Sequence, residues 1–198
     1  MYEVEQKYPV ADVAAFEVRL AGAAARWHGV VEQVDRYFGH PSRDFAATDE
    51  ALRLRSTAEG VVITWKGPRL DATAKTRREI ELPLAEAAVP AAAVAEAAVR
   101  ASPQATLDRW TDLLEALGFR RVREVAKRRR LATVAWEGAA VEVAVDHVAG
   151  LGDFVEFELQ ADAAGIARAA ARVESLARHL GCTRPEPRSY LEMLLARA

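Results

Sequence analysis

Segments with strand-like alternation recur along this chain, and in nearly all of them one phase is charged. The first is Glu3-Val4-Glu5-Gln6-Lys7. Read as a strand, it puts Glu3, Glu5 and Lys7 on one face and Val4, Gln6 and Tyr8 on the other. Further on, Arg53 and Arg55 oppose Leu52 and Leu54, and Lys66 opposes Trp65. Arg77, Glu79 and Glu81 oppose Arg78, Ile80 and Leu82, while Lys127 and Arg129 share a phase with Val125 and Leu131. Glu142 and Asp146 oppose Val141, Val143 and Val145, and Glu156 and Glu158 oppose Val155, Phe157 and Leu159. Any one such triplet is more simply a solvated strand face. The recurrence is harder to explain that way, because a half-exposed sheet mixes Thr, Ser and Gln among scattered charges.

The helical segments decide which face lies inside. Pro9 to Trp27 carries an apolar stripe at Val13, Phe16, Leu20, Ala24 and Trp27 and is expected to end at Gly29. Ala85 to Gly118 reads as two helices broken at Ser102-Pro103, the second with Leu107, Trp110, Leu113, Leu114 and Leu117. A further helix carries Ile166, Ala170, Val173, Leu176 and Leu180, and a short one starts near Ser189. These stripes need apolar surface, and the apolar strand faces supply it. Helices on the outside of a curved sheet leave the charged faces pointing inward. Hairpin turns at Glu59-Gly60 and Glu137-Gly138 make the sheet mainly antiparallel, and eight such strands can close. The expected fold is α+β: one domain over residues 1–198, an eight-stranded antiparallel barrel around a charged tunnel, with amphipathic helices outside.

A lumen holding that many charges of both signs is untenable dry, since unpaired buried charge is so costly. It suits a wet tunnel occupied by a polyanion with metal ions. Arg and Lys would grip phosphate oxygens, with Arg giving bidentate contacts. The carboxylates would hold Mg²⁺ or Mn²⁺ through oxygen ligands. Overall charge argues against other partners: 27 basic and 29 acidic residues leave a net −2, with no field for nucleic acid or a membrane surface. Cys182 is the single cysteine, which excludes an intrachain disulfide and suits a reducing compartment. With charges in the first five residues there is no sign of a signal peptide, so a cytoplasmic location is expected.

Eight stretches in order resemble the CYTH superfamily, the triphosphate tunnel metalloenzymes. Glu3-Val4-Glu5-Gln6-Lys7 is similar to its ExExK signature. Asp35 to Phe38, His40 to Phe45 and Thr48 to Arg55 resemble the class IV adenylyl cyclase branch. So do Thr76 to Glu81, Val125 to Arg129, Val145 to Glu158, and the closing Ser189-Tyr190-Leu191-Glu192. The resemblance implies a tunnel that binds a nucleoside or inorganic triphosphate with a divalent metal. It implies Glu3, Glu5, Glu156 and Glu158 as metal ligands, with Glu79, Glu81 and Asp146 supporting or ligating. It implies Lys7, Arg53, Arg55, Lys66, Arg77, Lys127 and Arg129 as triphosphate contacts, and it suggests a homodimer. Catalysis would then fall to Glu3, Glu5, Lys7, Glu156 and Glu158. In the basic run 127–130 only alternate members face inward, so Arg128 and Arg130 are expected on the outside.

Other features are weaker. The four histidines form no metal spacing, no helix follows Gly150-Leu151-Gly152 directly, and Cys182 has no catalytic partner nearby. The tryptophans read as packing residues. Three functions remain open: a class IV-type adenylyl cyclase, making cyclic AMP and pyrophosphate from ATP; a triphosphatase of inorganic, thiamine or nucleoside triphosphate; and a silent polyphosphate- or nucleotide-binding module. The third can do without the carboxylates, so their presence argues against it.

Overall fold

The computed structural model describes residues 2–69, 77–84 and 102–197. Eight strands form one closed antiparallel barrel: β1 (Tyr2–Pro9), β2 (Arg26–Gly39), β3 (Ala51–Thr57), β4 (Gly60–Arg69), β5 (Arg77–Pro83), β6 (Arg120–Trp136), β7 (Ala139–Val148) and β8 (Gly152–Ala161). Round the barrel they run β1-β5-β4-β3-β2-β6-β7-β8. Sequence-adjacent strands form hairpins from β2 to β5 and from β6 to β8. The turn between β6 and β7 has Glu137 at φ 46° and Gly138 at φ 77°, the paired positive φ of a tight two-residue hairpin loop. The long-range seams β1·β8 and β2·β6 then close the cylinder.

Each strand face goes where its chemistry directs. Helices α1 (Val13–Gly22) and α3 (Ile166–His179) lay Phe16, Leu20, Val173 and Leu176 against the outward Tyr8, Val134, Val143, Val155 and Phe157. Phe157 is fully buried and meets Tyr8 and Phe16 edge-on, with ring centroids 5.8 and 6.4 Å away. Helix α2 (Pro103–Ala116), capped by the Ser102 side chain, packs Leu107 and Leu114 on Phe38, Leu52, Leu54 and Val61. The charged phases, left without apolar cover, face the lumen.

Helix α4 (Tyr190–Leu195) differs from these three. A capping box between Ser189 and Glu192 starts it, and it packs on residues of the inward phase. Tyr37, Val125, Val148 and Phe154, all at one end of the barrel, form a buried cluster with Tyr190, Met193 and Leu194. The Glu186 amide donates to the Lys7 carbonyl at 2.7 Å, tying the approach segment to β1. The barrel is thus stoppered at this end.

One boundary differs from the sequence expectation. Helix α1 stops at Gly22, Ala24 takes φ 55°, and β2 begins at Arg26. A left-handed residue cannot continue a right-handed helix, so Trp27 joins the ladder opposite Ala132. Trp27 lies on the outer surface with the Arg130 guanidinium 4.3 Å from its ring, and does not pack in the core. The helix expected in the first part of 85–118 falls outside the described residues. Replacing Phe157 with Ala should cost about 3–5 kcal/mol of stability in urea unfolding; a loss below about 1 kcal/mol would show that this contact between barrel and helices is not central.

Candidate functional site

The inward side chains meet in a cavity of about 100 Å³ lined by Glu3, Glu5, Lys7, Tyr37, Arg53, Arg55, Lys66, Lys127, Arg129, Glu156, Glu158 and Tyr190. Ten of the charges singled out from the sequence therefore converge on one space. Others stand apart from its lining. Asp146 is fully buried behind the wall. Glu79 pairs with Lys66, which also lies 3.5 Å from Glu3. Glu81 is exposed and accepts from Thr64 at 3.0 Å. Arg77 is buried beside Asp49, 4.0 Å away, and lines a separate, largely apolar cavity outside the barrel end. Arg128 and Arg130 point outward, to Glu32 and Glu17.

The cations are gathered by a residue that the strand patterns above do not single out. Asp35, on β2 and 1% exposed, receives Arg55 through two bonds of 2.6 and 2.8 Å. Lys127 reaches the same carboxylate at 3.2 Å and Arg53 at 3.4 Å. Burial pushes the Asp35 carboxyl up, but Lys127, Arg53 and Arg55 outweigh it and hold it well below the usual carboxylate range. Asp35 is therefore ionised at any ordinary pH. The reverse holds for Lys127, which burial and the nearby Arg55 and Arg129 lower to about 8 despite Asp35. A second group joins it. Arg129 grips Asp146 at 2.7 and 2.6 Å and also bonds Glu156, which lies 3.9 Å from Lys7. Tyr190 donates to Asp146 at 2.9 Å. The signal for Asp35 and Tyr37 was available in the inward phase of β2, a strand whose alternation is masked by its mixed residue types. Tyr190 has no such signal, because it belongs to a helix.

The opposite part of the lumen is crowded with like charge. Glu5 stands directly across from Glu158, whose other neighbour is Glu142. Burial, then Glu3, Glu5 and Glu142, push the Glu158 carboxyl up to about 8. Glu3 is raised as well, by burial foremost and by Glu5 and Glu79, against the pull of Lys66. Facing carboxylates destabilise a ladder unless a cation or a proton lies between them. As the side chains stand, no three carboxylates, histidines or cysteines among the described residues converge on one point. The donor set nevertheless fits a hard divalent cation: oxygen ligands only, mutually repelling, within one wet cavity.

A closed antiparallel barrel thus encloses a charged cavity, with cations gathered round Asp35 and Asp146 and carboxylates crowded round Glu158. The chain belongs to the CYTH family, whose domain matches residues 1–190. It is similar to the adenylate cyclase CyaB of Aeromonas hydrophila, 30% identical over 81% of this chain and 70% of that one. Among solved structures, a Pyrococcus horikoshii protein superposes with a TM-score of 0.80 at 35% identity, covering 99% of both chains. A Hippeastrum candidate adenylyl cyclase with a dominant triphosphatase activity shares the fold, with a TM-score of 0.63 at 16% identity over 99% of this chain and 95% of that one. The protein is thus an enzyme of the CYTH, adenylate cyclase-like type. No helix among the described residues is long and apolar enough to cross a membrane.

Two outcomes test the electrostatics. Asp35→Asn leaves three cations around a neutral amide, and should cost about 3–5 kcal/mol in urea unfolding. Saturating tripolyphosphate should restore more stability to this variant than to the native protein; equal gains would remove Asp35 from the phosphate network. The second concerns Glu158. Its raised pKa lets the folded chain keep a proton that the unfolded chain loses, so metal-free stability falls as pH rises from 4.5 to about 8. Glu158→Gln removes that loss, so its melting temperature should gain on the native one across this window, by about 2–4 °C per kcal/mol relieved. A difference that does not grow with pH would contradict the crowding.

Proposed function

We propose that the protein binds a triphosphate in the lumen and catalyses a metal-dependent reaction on it, converting ATP to cyclic AMP and pyrophosphate. The observation that carries this reading is the segregation of the lumen. Arg53, Arg55, Lys127, Arg129 and Lys7 form the phosphate-gripping part, Glu3, Glu5 and Glu158 the part suited to Mg²⁺ or Mn²⁺, and Glu156, bonded to Arg129 and 3.9 Å from Lys7, joins the two. Arg53 adds a specific invitation: its buried Nε has no hydrogen-bond partner among the described residues, a costly state that a phosphate oxygen would relieve. The likeness to the Aeromonas hydrophila cyclase supports the cyclase reading.

In this reading the Arg and Lys side chains bind the β- and γ-phosphates and neutralise the charge that accumulates on the pyrophosphate leaving group. Because Asp35 and Asp146 already hold those cations in place, little reorganisation is needed as charge develops. A divalent ion held by the carboxylates would lower the pKa of the attacking 3′-hydroxyl and stabilise the α-phosphate. Glu79, Glu81 and Asp146 act as supports, since each already accepts from a Lys, Thr, Arg or Tyr side chain. Arg77 sits at the margin, where it can touch only the outer part of a ligand. We place the enzyme in the cytoplasm, where ATP and free thiols coexist, and take it to act as a homodimer, as the family resemblance suggests.

Hydrolysis is the second reading, favoured by one feature: ten of the twelve residues lining the cavity are charged groups that suit phosphate or metal and read no base. Product analysis separates the two. With Mg²⁺ or Mn²⁺, ATP should yield cyclic AMP and pyrophosphate, and Glu5→Gln should abolish this while tripolyphosphate still binds. Orthophosphate as the sole product from ATP and tripolyphosphate would establish hydrolysis instead; full turnover by Glu5→Gln would remove the carboxylate from the mechanism.

A further inference from the structure

The second cavity has a chemistry of its own. It encloses about 370 Å³ against the outside of the barrel, between the loop 40–50, the adjoining ends of β2 and β3, and α4. Tyr37, Phe38, Phe45, Leu52 and Leu191 make most of its wall apolar. A space of this size, with an apolar wall and a few polar groups, is what encloses a small organic molecule. A triphosphate has no use for such a wall.

Its polar groups are unequally engaged. Asp44 accepts from the Ala46 and Ala47 amides at 3.0 and 3.1 Å. Glu50 accepts from the Thr48 hydroxyl at 2.7 Å and the Trp65 indole at 3.1 Å, with Arg43 3.2 Å away. Glu192 completes the capping box of α4. Arg77 is different. It is 7% exposed, and the carboxylate within ion-pair reach of it among the described residues is Asp49, at 4.0 Å. That separation is too long for a hydrogen bond, and a guanidinium carries five N–H donors. Asp49 is itself held at φ 55°, a conformation that residues with side chains rarely adopt and that recurs at ligand sites. A turn sets its position, closed by the Glu50 amide on the Phe45 carbonyl at 2.9 Å.

We propose that this cavity is a second ligand site, for an apolar molecule with a single carboxylate, whose head engages Arg77 and whose body lies on Tyr37, Phe45 and Leu191. One negative charge is what Arg77 takes up, through the two parallel bonds that a guanidinium and a carboxylate share. Further charge is excluded, because Asp44, Asp49, Glu50 and Glu192 border the same space and repel a polyphosphate. The two cavities have Tyr37 as a common wall. They nevertheless select different anions: a compact, multiply charged one inside the barrel and a bulky, singly charged one outside it. The site is independent of the triphosphate reading, and it gives Arg77 a task of its own.

Calorimetry with indole-3-acetate, indole-3-acetamide and tryptamine tests this, since the three share one apolar body and differ in charge. Each is titrated with Mg²⁺ and excess tripolyphosphate present, so that the lumen is filled first. Indole-3-acetate should bind with a dissociation constant of about 1 mM or below, and the amide and the amine at least about tenfold more weakly. Arg77→Gln should bring the acid to the level of the amide. Val122 lines the cavity and is 43% exposed, so Val122→Trp fills the space without disturbing the core. It should weaken acid binding at least about tenfold while tripolyphosphate binds as before. Absence of acid binding would overturn the proposal, and so would amide or amine binding as tight as the acid's. Undiminished acid binding by a folded Arg77→Gln or Val122→Trp variant would overturn it too. If Arg77→Gln does not fold, the native charge series and Val122→Trp decide.

Discussion

The structure depends on the cost of placing charge inside a protein. A carboxylate as buried as Asp35 is stable only because Arg53, Arg55 and Lys127 share it, and those three are stable there only because Asp35 is present. The same mutual requirement joins Arg129 to Asp146 and Glu156. These clusters hold guanidinium and ammonium groups in a fixed array before any ligand arrives. Preorganisation of this kind is what phosphate chemistry needs, because stabilising a developing charge is most effective when the dipoles and charges are already oriented.

The carboxylate side is built on the opposite principle. Glu158 has Glu3, Glu5 and Glu142 for neighbours, and Lys66 is shared between Glu3 and Glu79. Burial, and then repulsion from Glu3, Glu5 and Glu142, raises the Glu158 carboxyl to about 8. One half of the lumen is thus satisfied and rigid, and the other half is strained in a way that a divalent ion would relieve. The apolar helices outside hold both in register, since Phe157 anchors the strand segment between Glu156 and Glu158.

The barrel was legible from the alternation of charge alone, because a two-residue period reports directly which face each side chain takes. The ten charges of the cavity followed from the same period. Asp35 was harder to find, since its strand mixes Val, Gln, Asp, Tyr and Phe and shows no charged row. Tyr190 was beyond the method: its place depends on how the last helix docks across a barrel end, and no local period encodes that. The end of α1 was misread for a related reason. Ala24 and Trp27 continue the helical stripe in sequence, yet the strand ladder claims Trp27 once the chain turns at Ala24.

The β1·β8 seam has a consequence for how the protein is made. The strand that carries Glu3, Glu5 and Lys7 is synthesised long before its partner, and eight of its residues pair with a strand that ends at Ala161. Pairing across so much sequence is entropically slow. β5 can cover one side of β1 earlier, but until β8 emerges from the ribosome the other edge stays open beside an apolar face, the kind of surface that chaperones guard and that aggregates when unguarded. Assembly of the charged lumen therefore waits for β8, and the yield of folded protein depends on that interval.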